Sequence, residues 1–221
     1  MVISPSDNEL EVKFHIHDLP EMEKRLVSCG ANLVQPRTHE YNLRFDTLGG
    51  DLSQRESMLR LRRDSASHVT YKGPSTTLGG VLARQEIEFD VSNFAAAQKL
   101  IEALGFRSKF VYEKYRTTYA LEGLKITLDE MPYGDFVEVE GKQAEAIQTA
   151  AKKLKLDWAE RLPETYISIF RRLKELFSLH FNDLTFENFK NVEYDLERAG
   201  VHIADNGLSA VTHKQPQQPS N

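Results

Sequence analysis

The sequence predicts an α+β fold: an eight-stranded antiparallel β-barrel with helices packed on its outside. One observation behind this is a strict alternation of ionisable and apolar residues, first seen in Glu9-Leu10-Glu11-Val12-Lys13-Phe14. Successive side chains of a strand point to opposite faces, so Glu9, Glu11 and Lys13 share a charged face while Leu10, Val12 and Phe14 share an apolar one. The second observation is that a strand with this Glu-x-Glu pattern precedes a helix three times, as in an internal duplication. The third is the number of strand candidates, about eight, which suits a closed antiparallel barrel.

In chain order, Asp18-Leu19-Pro20-Glu21 opens a helix with a capping-box pattern. Leu19, Met22 and Leu26 recur at helical spacing, and Gly30 suits its end. Short strand candidates follow at Tyr41 to Asp46, Ser57 to Arg62 and Val69 to Lys72, with Gly49-Gly50 between the first two. The Gly-rich stretch from Gly73 to Gly80 reads as a loop, a lid at the mouth of the barrel. Arg84 to Asp90 repeats the Glu-x-Glu strand, and a helix from Ser92 through Leu104 closes on Gly105. Phe110 to Leu121 and Lys125 to Asp129 form a pair around the turn Glu122-Gly123. Phe136-Val137-Glu138-Val139-Glu140 then leads into a third helix, Gln143 to about Lys155. A helix from Glu164 to Phe177 carries Tyr166, Ile169, Phe170 and Leu173 on one stripe, which is expected to cover the barrel's outside. The reading divides the chain into a barrel domain over 1–178, a helical extension over 179–206 with a helix from Phe186 to Arg198 stopped by Gly200, and a disordered tail over 207–221.

With 221 residues, 40% of them hydrophobic, the chain can bury a sizeable core. No apolar run approaches the roughly 18–20 residues that cross a bilayer, and the first residues lack a signal-peptide pattern, so a cytoplasmic location is expected. A lone Cys29 forms no internal disulfide and reads as a structural thiol. A net charge of −5 argues against general nucleic-acid binding, which depends on accumulated Lys and Arg.

Collected by strand face, the ionisable residues are Glu9, Glu11, Lys13, Arg60, Arg62, Lys72, Arg84, Glu86, Glu88, Lys114, Arg116, Asp129, Glu138 and Glu140. Such a face could simply be solvated. The helices argue otherwise, because their apolar stripes need the apolar faces of the strands, which turns the charged faces inward. Buried charges of both signs must be paired or hydrated. Carboxylates at i, i+2 on neighbouring strands suit a hard divalent cation such as Mg²⁺ or Mn²⁺, and Arg and Lys opposite them suit phosphoryl oxygens. Together these residue types point to phosphoryl or nucleotidyl transfer.

The Glu9-Leu10-Glu11-Val12-Lys13 segment resembles the ExExK signature of the CYTH superfamily, the triphosphate tunnel metalloenzymes. Leu59-Arg60-Leu61-Arg62, Thr70-Tyr71-Lys72-Gly73-Pro74, Arg84-Gln85-Glu86-Ile87-Glu88, Glu113-Lys114-Tyr115-Arg116, and Ile126 to Asp129 with Gly134 to Glu140 are similar to its later motifs, in order, over about residues 7 to 175. The resemblance implies an eight-stranded tunnel that binds a small triphosphate with Mg²⁺ or Mn²⁺. It implies Glu9, Glu11, Glu88, Asp129, Glu138 and Glu140 as metal ligands. Lys13, Arg60, Arg62, Lys72, Arg84, Lys114 and Arg116 are implied as phosphate-binding residues, with Lys13, Lys72 and Lys114 as the catalytic candidates. It also implies one of two reactions: hydrolysis of a triphosphate, inorganic or organic such as thiamine triphosphate, or, as the alternative, class IV adenylyl cyclase chemistry from ATP to cyclic AMP and pyrophosphate. A non-catalytic receptor for polyphosphate or triphosphate-ended RNA is the third reading. His39 to Asp46 with Gly49-Gly50 is broadly similar to the cyclase region, while no segment marks an adenine pocket.

Four further expectations come from the residues. His15 and His17, without Cys or further His at ligand spacing, are expected to face solvent rather than zinc. Ser75, Thr76 and Thr77 lack the lysine of a phosphate-binding loop. Trp158, Tyr166 and Phe170 read as packing residues, and Tyr112 and Tyr133 as residues approaching the lumen. The chain is also compatible with a homodimer.

Overall fold

A computed structural model describes residues 10–78 and 81–205, and for residues 75–78 and 81–84 the backbone alone. The expectations for Glu9, for the Arg84 side chain, for Ser75 to Thr77 and for the tail over 207–221 therefore fall outside the described residues. The strands are β1 (Leu10–Ile16), β2 (Asn32–Asp46), β3 (Met58–Arg63), β4 (Ser67–Leu78), β5 (Val81–Asp90), β6 (Arg107–Leu121), β7 (Leu124–Met131) and β8 (Gly134–Gly141). The helices are α1 (Leu19–Ser28), α2 (Asp51–Gln54), α3 (Phe94–Ala103), α4 (Ala144–Lys153) and α5 (Tyr166–Phe177). The strands form one eight-stranded antiparallel sheet in the order β1-β8-β7-β6-β2-β3-β4-β5.

The expected closure of the barrel is not made by strand pairing: β1 and β5 are the two edges of the sheet. The free side of β1 is taken by the C-terminal part of the chain. Leu162 N–H donates to the Lys13 carbonyl and Ala204 N–H to the His15 carbonyl, each at 2.8 Å. Asp205 caps the end of the strand, accepting from the backbone N–H groups of His17 and Asp18.

Two of the three Glu-x-Glu strands lead into their helices through side-chain caps, whereas α4 starts without one. Asp18 accepts from Glu21 N–H at the start of α1, and Asn93 accepts from Ala96 N–H at the start of α3. Gly30 and Gly105, with φ of +83° and +96°, take the left-handed turn that ends α1 and α3. α1 and α4 bury Met22, Leu26, Ile147 and Ala151 against Val12, Phe14, Ile126, Leu128, Val137 and Val139. α3 packs Ile101 near Leu43, Leu61 and Val69 at the other end of the same outer face. These helices thus sit outside, as their stripes predict.

α5 does not. Its Phe170 lies 6.0 Å from Phe110, and Phe136 lies 5.2 Å from Tyr166; both Phe110 and Phe136 share strand parity with charged inner-face residues. Met131, Tyr133, Phe136, Phe170, Leu173, Leu184 and Phe189 form one cluster that covers the end of the inner face. An apolar stripe specifies burial, not which side of a sheet buries it.

Three further differences have physical causes. β2 begins at Asn32, well before Tyr41, because register shifts near Leu33, Gln35 and Arg44 against β6 break the two-residue period that marks a strand. From Gly73 to Leu78 the expected loop is strand: β4 runs to Leu78 and pairs with β5, with Gly73-Pro74 inside a register shift between Lys72 and Ser75. A bulge is where a strand tolerates proline, which has no N–H to give. The expected helix over Phe186 to Arg198 is a run of turns, with Asn191 at φ +62° and Gly200 at φ +70°. Asp183 and Leu184 tie this segment to β6, where Val111 N–H donates to Asp183 and Leu184 exchanges backbone bonds with Val111 and Glu113.

Phe170 is 1% exposed among Phe110, Phe181 and Phe189. Phe170→Ala is expected to lower unfolding stability by about 3–5 kcal/mol in urea denaturation. A loss below about 1 kcal/mol would mean that α5 does not hold this end of the sheet.

Candidate active site

The inner face is built from side chains of one parity on all eight strands. Pairing sets Glu11 opposite Glu140 and Lys13 opposite Glu138. It likewise sets Arg116 opposite Asp129, Glu40 opposite Lys114, Asn42 opposite Arg62, and Thr70 opposite both Arg60 and Glu88. The central charges of this face are buried: Lys13 is 6% exposed, Glu40 4%, Lys114 7%, Asp129 0% and Glu138 6%, while Glu11 and Glu88 reach the surface. Over β1, β2, β6, β7 and β8 the centre of the face is therefore not a merely solvated surface.

Asp129 is the centre. Arg116 grips it with two hydrogen bonds of 2.6 and 2.5 Å, Lys114 donates at 3.3 Å and the Tyr166 hydroxyl donates at 2.9 Å. Burial opposes ionisation of Asp129, but the Arg116 and Lys114 charges and the bonds from Arg116 and Tyr166 outweigh it, holding the carboxyl well below its ordinary value. Glu40 is held down in the same way, its burial outweighed by Lys114 at 3.5 Å and Arg116 at 4.0 Å. Glu138 goes the other way. Burial, reinforced by Asp129 and Glu11, keeps its carboxyl above the ordinary value although Arg116 and Lys13 each lie 3.6 Å away. Lys13 donates to Glu11 at 2.5 Å, and Glu138 and Glu11 raise its pKa against its own burial. The Tyr166 ring lies beneath the two lysines, 5.5 Å from Lys13 Nζ and 5.7 Å from Lys114 Nζ.

A second group lies on β3, β4 and β5. Glu88 accepts from Thr70 at 2.6 Å and pairs with Arg60 at 3.5 Å and Arg62 at 3.8 Å. Tyr112 reaches Arg60 at 3.4 Å, as its parity predicts. Lys72 stands apart, paired with Glu86 at 2.8 Å, and Glu140 is paired with Lys125 at 2.9 Å. Several buried inner-face groups have no partner among the described residues: the Asn42 amide, Arg60 Nε and the Thr127 hydroxyl. Buried polar groups are rarely left so, and the face is therefore shaped for a polar occupant.

The expected metal residues separate on this geometry. Glu11 and Glu140 are cross-strand neighbours, and Glu138 lies on the same face two residues on. Like charges directly opposite repel, and hard oxygen donors in such a set suit a divalent cation. Among the described residues no three His, Cys, Asp or Glu side chains are already gathered as a ligand group, since Glu11 turns to Lys13 and Glu140 to Lys125. Asp129, by contrast, has both oxygens committed to four donors, and Glu88 is held among Thr70, Arg60 and Arg62.

Two residues of the cluster escaped the sequence reading. Glu40 falls one position before the expected start of its strand at Tyr41, and its parity with Asn42 and Arg44 would have placed it on the charged face. Tyr166 read as packing, but its hydroxyl belongs to the polar centre. Tyr133 stays out of the lumen, fully buried with its hydroxyl donating to the Tyr166 carbonyl. His15 is half-buried rather than solvent-facing, its ring 5.3 Å from Phe136, and burial pushes its pKa down to about 4.

The opposite shifts of Asp129 and Glu138 have opposite consequences for stability. Asp129 has a folded pKa below its unfolded value of about 3.9, so its contribution is complete above that value and lost as pH falls through the folded one. Glu138 has a raised folded pKa, so ionising it costs stability as pH rises through that value. At pH 7 without divalent metal, Asp129→Asn is expected to cost about 3–5 kcal/mol by leaving Arg116 and Lys114 unneutralised. Glu138→Gln is expected to cost nothing or to stabilise. Urea denaturation of both variants checks this, and the reverse order would refute the assignment of Asp129 as the centre.

Among the described residues, no helix is long and apolar enough to cross a membrane. A comparison with curated proteins gave no match. The fold has solved relatives. A candidate adenylate cyclase from Vibrio parahaemolyticus is 19% identical, with a TM-score of 0.65 over 74% of this chain and 98% of that one. The PH1012 protein of Pyrococcus horikoshii is 24% identical, with a TM-score of 0.58 over 72% and 98%. A candidate adenylyl cyclase from Hippeastrum, described as revealing a dominant triphosphatase activity, is 19% identical with a TM-score of 0.54 over 74% and 95%. At these identities the likeness concerns the fold. The model of the CYTH domain matches residues 7–173, and with that match over most of its length the chain belongs to the CYTH family.

Proposed function

We propose that this protein hydrolyses a triphosphate, inorganic or organic, in a metal-dependent reaction on its charged inner face. The observation that carries the reading is the buried cluster in which Lys13, Lys114 and Arg116 surround Asp129 and Glu138. Cations held this deep cannot relax toward water, so they offer fixed donors to an anion that displaces part of their internal pairing. Glu11, Glu138 and Glu140 are the residues of suitable chemistry for a divalent cation. Bound there, Mg²⁺ or Mn²⁺ would neutralise phosphate charge and polarise a phosphoryl oxygen.

The residues of the chain divide the remaining work. Lys13 and Arg116 face the carboxylates and would hold the phosphoryl group that is transferred, while Arg60 and Arg62 on β3 would hold the phosphates farther along. Lys114 is set by Glu40, Asp129 and the Tyr166 ring, and contributes charge to the same group. Asp129 is a positioning residue, which fixes Arg116 and does not itself reach substrate. In the reaction, water oxygen bonds to the terminal phosphorus as its bond to the bridging oxygen breaks, and orthophosphate and the shortened phosphate leave. Charge spreads over the phosphoryl oxygens in such a step, which is where rigid Lys and Arg donors stabilise it. Lys72, paired on the outer hairpin, is not needed for this arrangement.

The test is a product assay with inorganic triphosphate, thiamine triphosphate and ATP, each with Mg²⁺ or Mn²⁺. Orthophosphate is expected, chelation is expected to abolish it, and Lys13→Ala is expected to lower kcat by about 10²–10³-fold. Cyclic AMP with matching pyrophosphate from ATP would replace hydrolysis by the cyclase reaction. Tight triphosphate binding without turnover would leave a receptor.

A further inference from the structure

At the end of the inner face farthest from Glu11 and Glu140, a cavity of about 420 Å³ opens between the sheet and α5. Four cations line it: Arg44 from β2, Lys109 from β6, and Arg171 and Lys174 from α5. Its one carboxylate, Asp46, is already committed, accepting from the backbone N–H groups of Thr47, Leu52 and Ser53 and from the Ser53 hydroxyl. Lys109 and Arg171 have no ion-pair partner among the described residues. The cavity neighbours the proposed phosphate track, since Arg44 in its wall stands directly opposite Arg60 across the β2–β3 pair.

Its walls are not wholly polar. Phe110, Ile167 and Phe170 contribute apolar surface, and the volume falls in the range of small-molecule pockets, far above the size of one phosphoryl group. Inorganic triphosphate has no use for apolar walls, and a neutral organic group has no use for four cations. We infer that this cavity holds the organic part of an organic triphosphate, and that this part carries an acidic group of its own, of the phosphate type. The inference rests on the proposed binding of a triphosphate by the same face and narrows its substrate class. Arg171 and Lys174, three residues apart on α5, would meet the added oxyanion, Lys174 keeping or exchanging its 2.7 Å bond to Asn182 in the same wall, and Phe110 with Phe170 would pack the organic body.

Calorimetric titration of the full chain tests it without requiring turnover. The probes are inorganic triphosphate, ATP, and ATP carrying an additional 3′-phosphate. The 3′-phosphorylated probe is expected to bind about tenfold or more tighter than ATP, as one or two charge-assisted hydrogen bonds allow. In the Arg171→Ala/Lys174→Ala variant this advantage is expected to vanish while the Kd for inorganic triphosphate, which places nothing in the cavity, stays the same. Equal affinity for ATP and its 3′-phosphate in the unaltered protein would overturn the inference, as would a variant that weakens all three probes alike. Selective binding without hydrolysis would refute the hydrolase reading and leave the subsite standing. Absence of binding by every probe would refute both.

Discussion

The structure depends on one buried carboxylate, Asp129, being shared by Arg116, Lys114 and Tyr166. A charged side chain at zero exposure is tolerated only when its lone pairs are filled, and Asp129 is filled by four hydrogen bonds from one neighbouring strand, β6, and a helix, α5. The same bonds place Arg116 and Lys114, and through them Glu40 and Glu138. They also draw the first residue of α5 onto the inner face, which brings Phe170 over Phe110. The polar centre and the apolar plug are therefore one construction: each fixes the other's position.

The rest of the architecture follows from the period of the strands. Ionisable residues of one parity must share a face, so the apolar parity of β1, β7 and β8 is left for α1 and α4, and that of β2, β3 and β4 for α3. Among the described residues the tunnel-like sheet is not closed by hydrogen bonds between β1 and β5, and the segments around Leu162 and Ala204 cover the free side of β1. An unsealed strand next to Lys13 would admit water to the cluster and weaken every charge interaction in it. The C-terminal turns thus serve the site from the back of the strand that carries Glu11 and Lys13.

Much of this was legible in the chain. Alternation in Glu11 to Phe14, Arg60 to Arg62 and Phe136 to Glu140 announced strands, their facing and the charged lumen, because period two is a direct geometric consequence of extended backbone. What alternation does not carry was misread. β2 lost its first half because bulges around Gln35 interrupt the period, and Glu40 was lost with it. Gly73-Pro74 looked like a loop because a proline inside a strand needs a bulge, which no local pattern reveals. α5 was placed on the wrong side because Tyr166 is an aromatic at a core-facing position, and only the location of Asp129 in space shows that its hydroxyl has a polar partner. Phe186 to Arg198 has helical spacing of apolar residues, but its tie to β6 through Asp183 and Leu184 is a long-range contact that outweighs local preference.

Hydrolysis and cyclisation of a triphosphate make the same demand on the phosphate-holding residues, since both spread negative charge over phosphoryl oxygens that Lys and Arg must meet. The buried cluster around Asp129 therefore supports triphosphate chemistry as a class, and the choice of reaction must come from what presents the nucleophile. A cyclase needs a ribose hydroxyl set over the α-phosphorus, hence a nucleoside held rigidly beside the phosphates. A hydrolase needs a water beside the terminal phosphorus, and asks of the organic part only that it stay out of the way or add affinity. The α5 cavity, with its cations at Lys109, Arg171 and Lys174 and apolar surface at Phe110 and Phe170, lies beyond Arg44 at the far end of the face from Glu11, Glu138 and Glu140. An organic group anchored there by its own negative charge would keep the terminal phosphate at the carboxylate end, where Glu11 is open to solvent and a water could reach it.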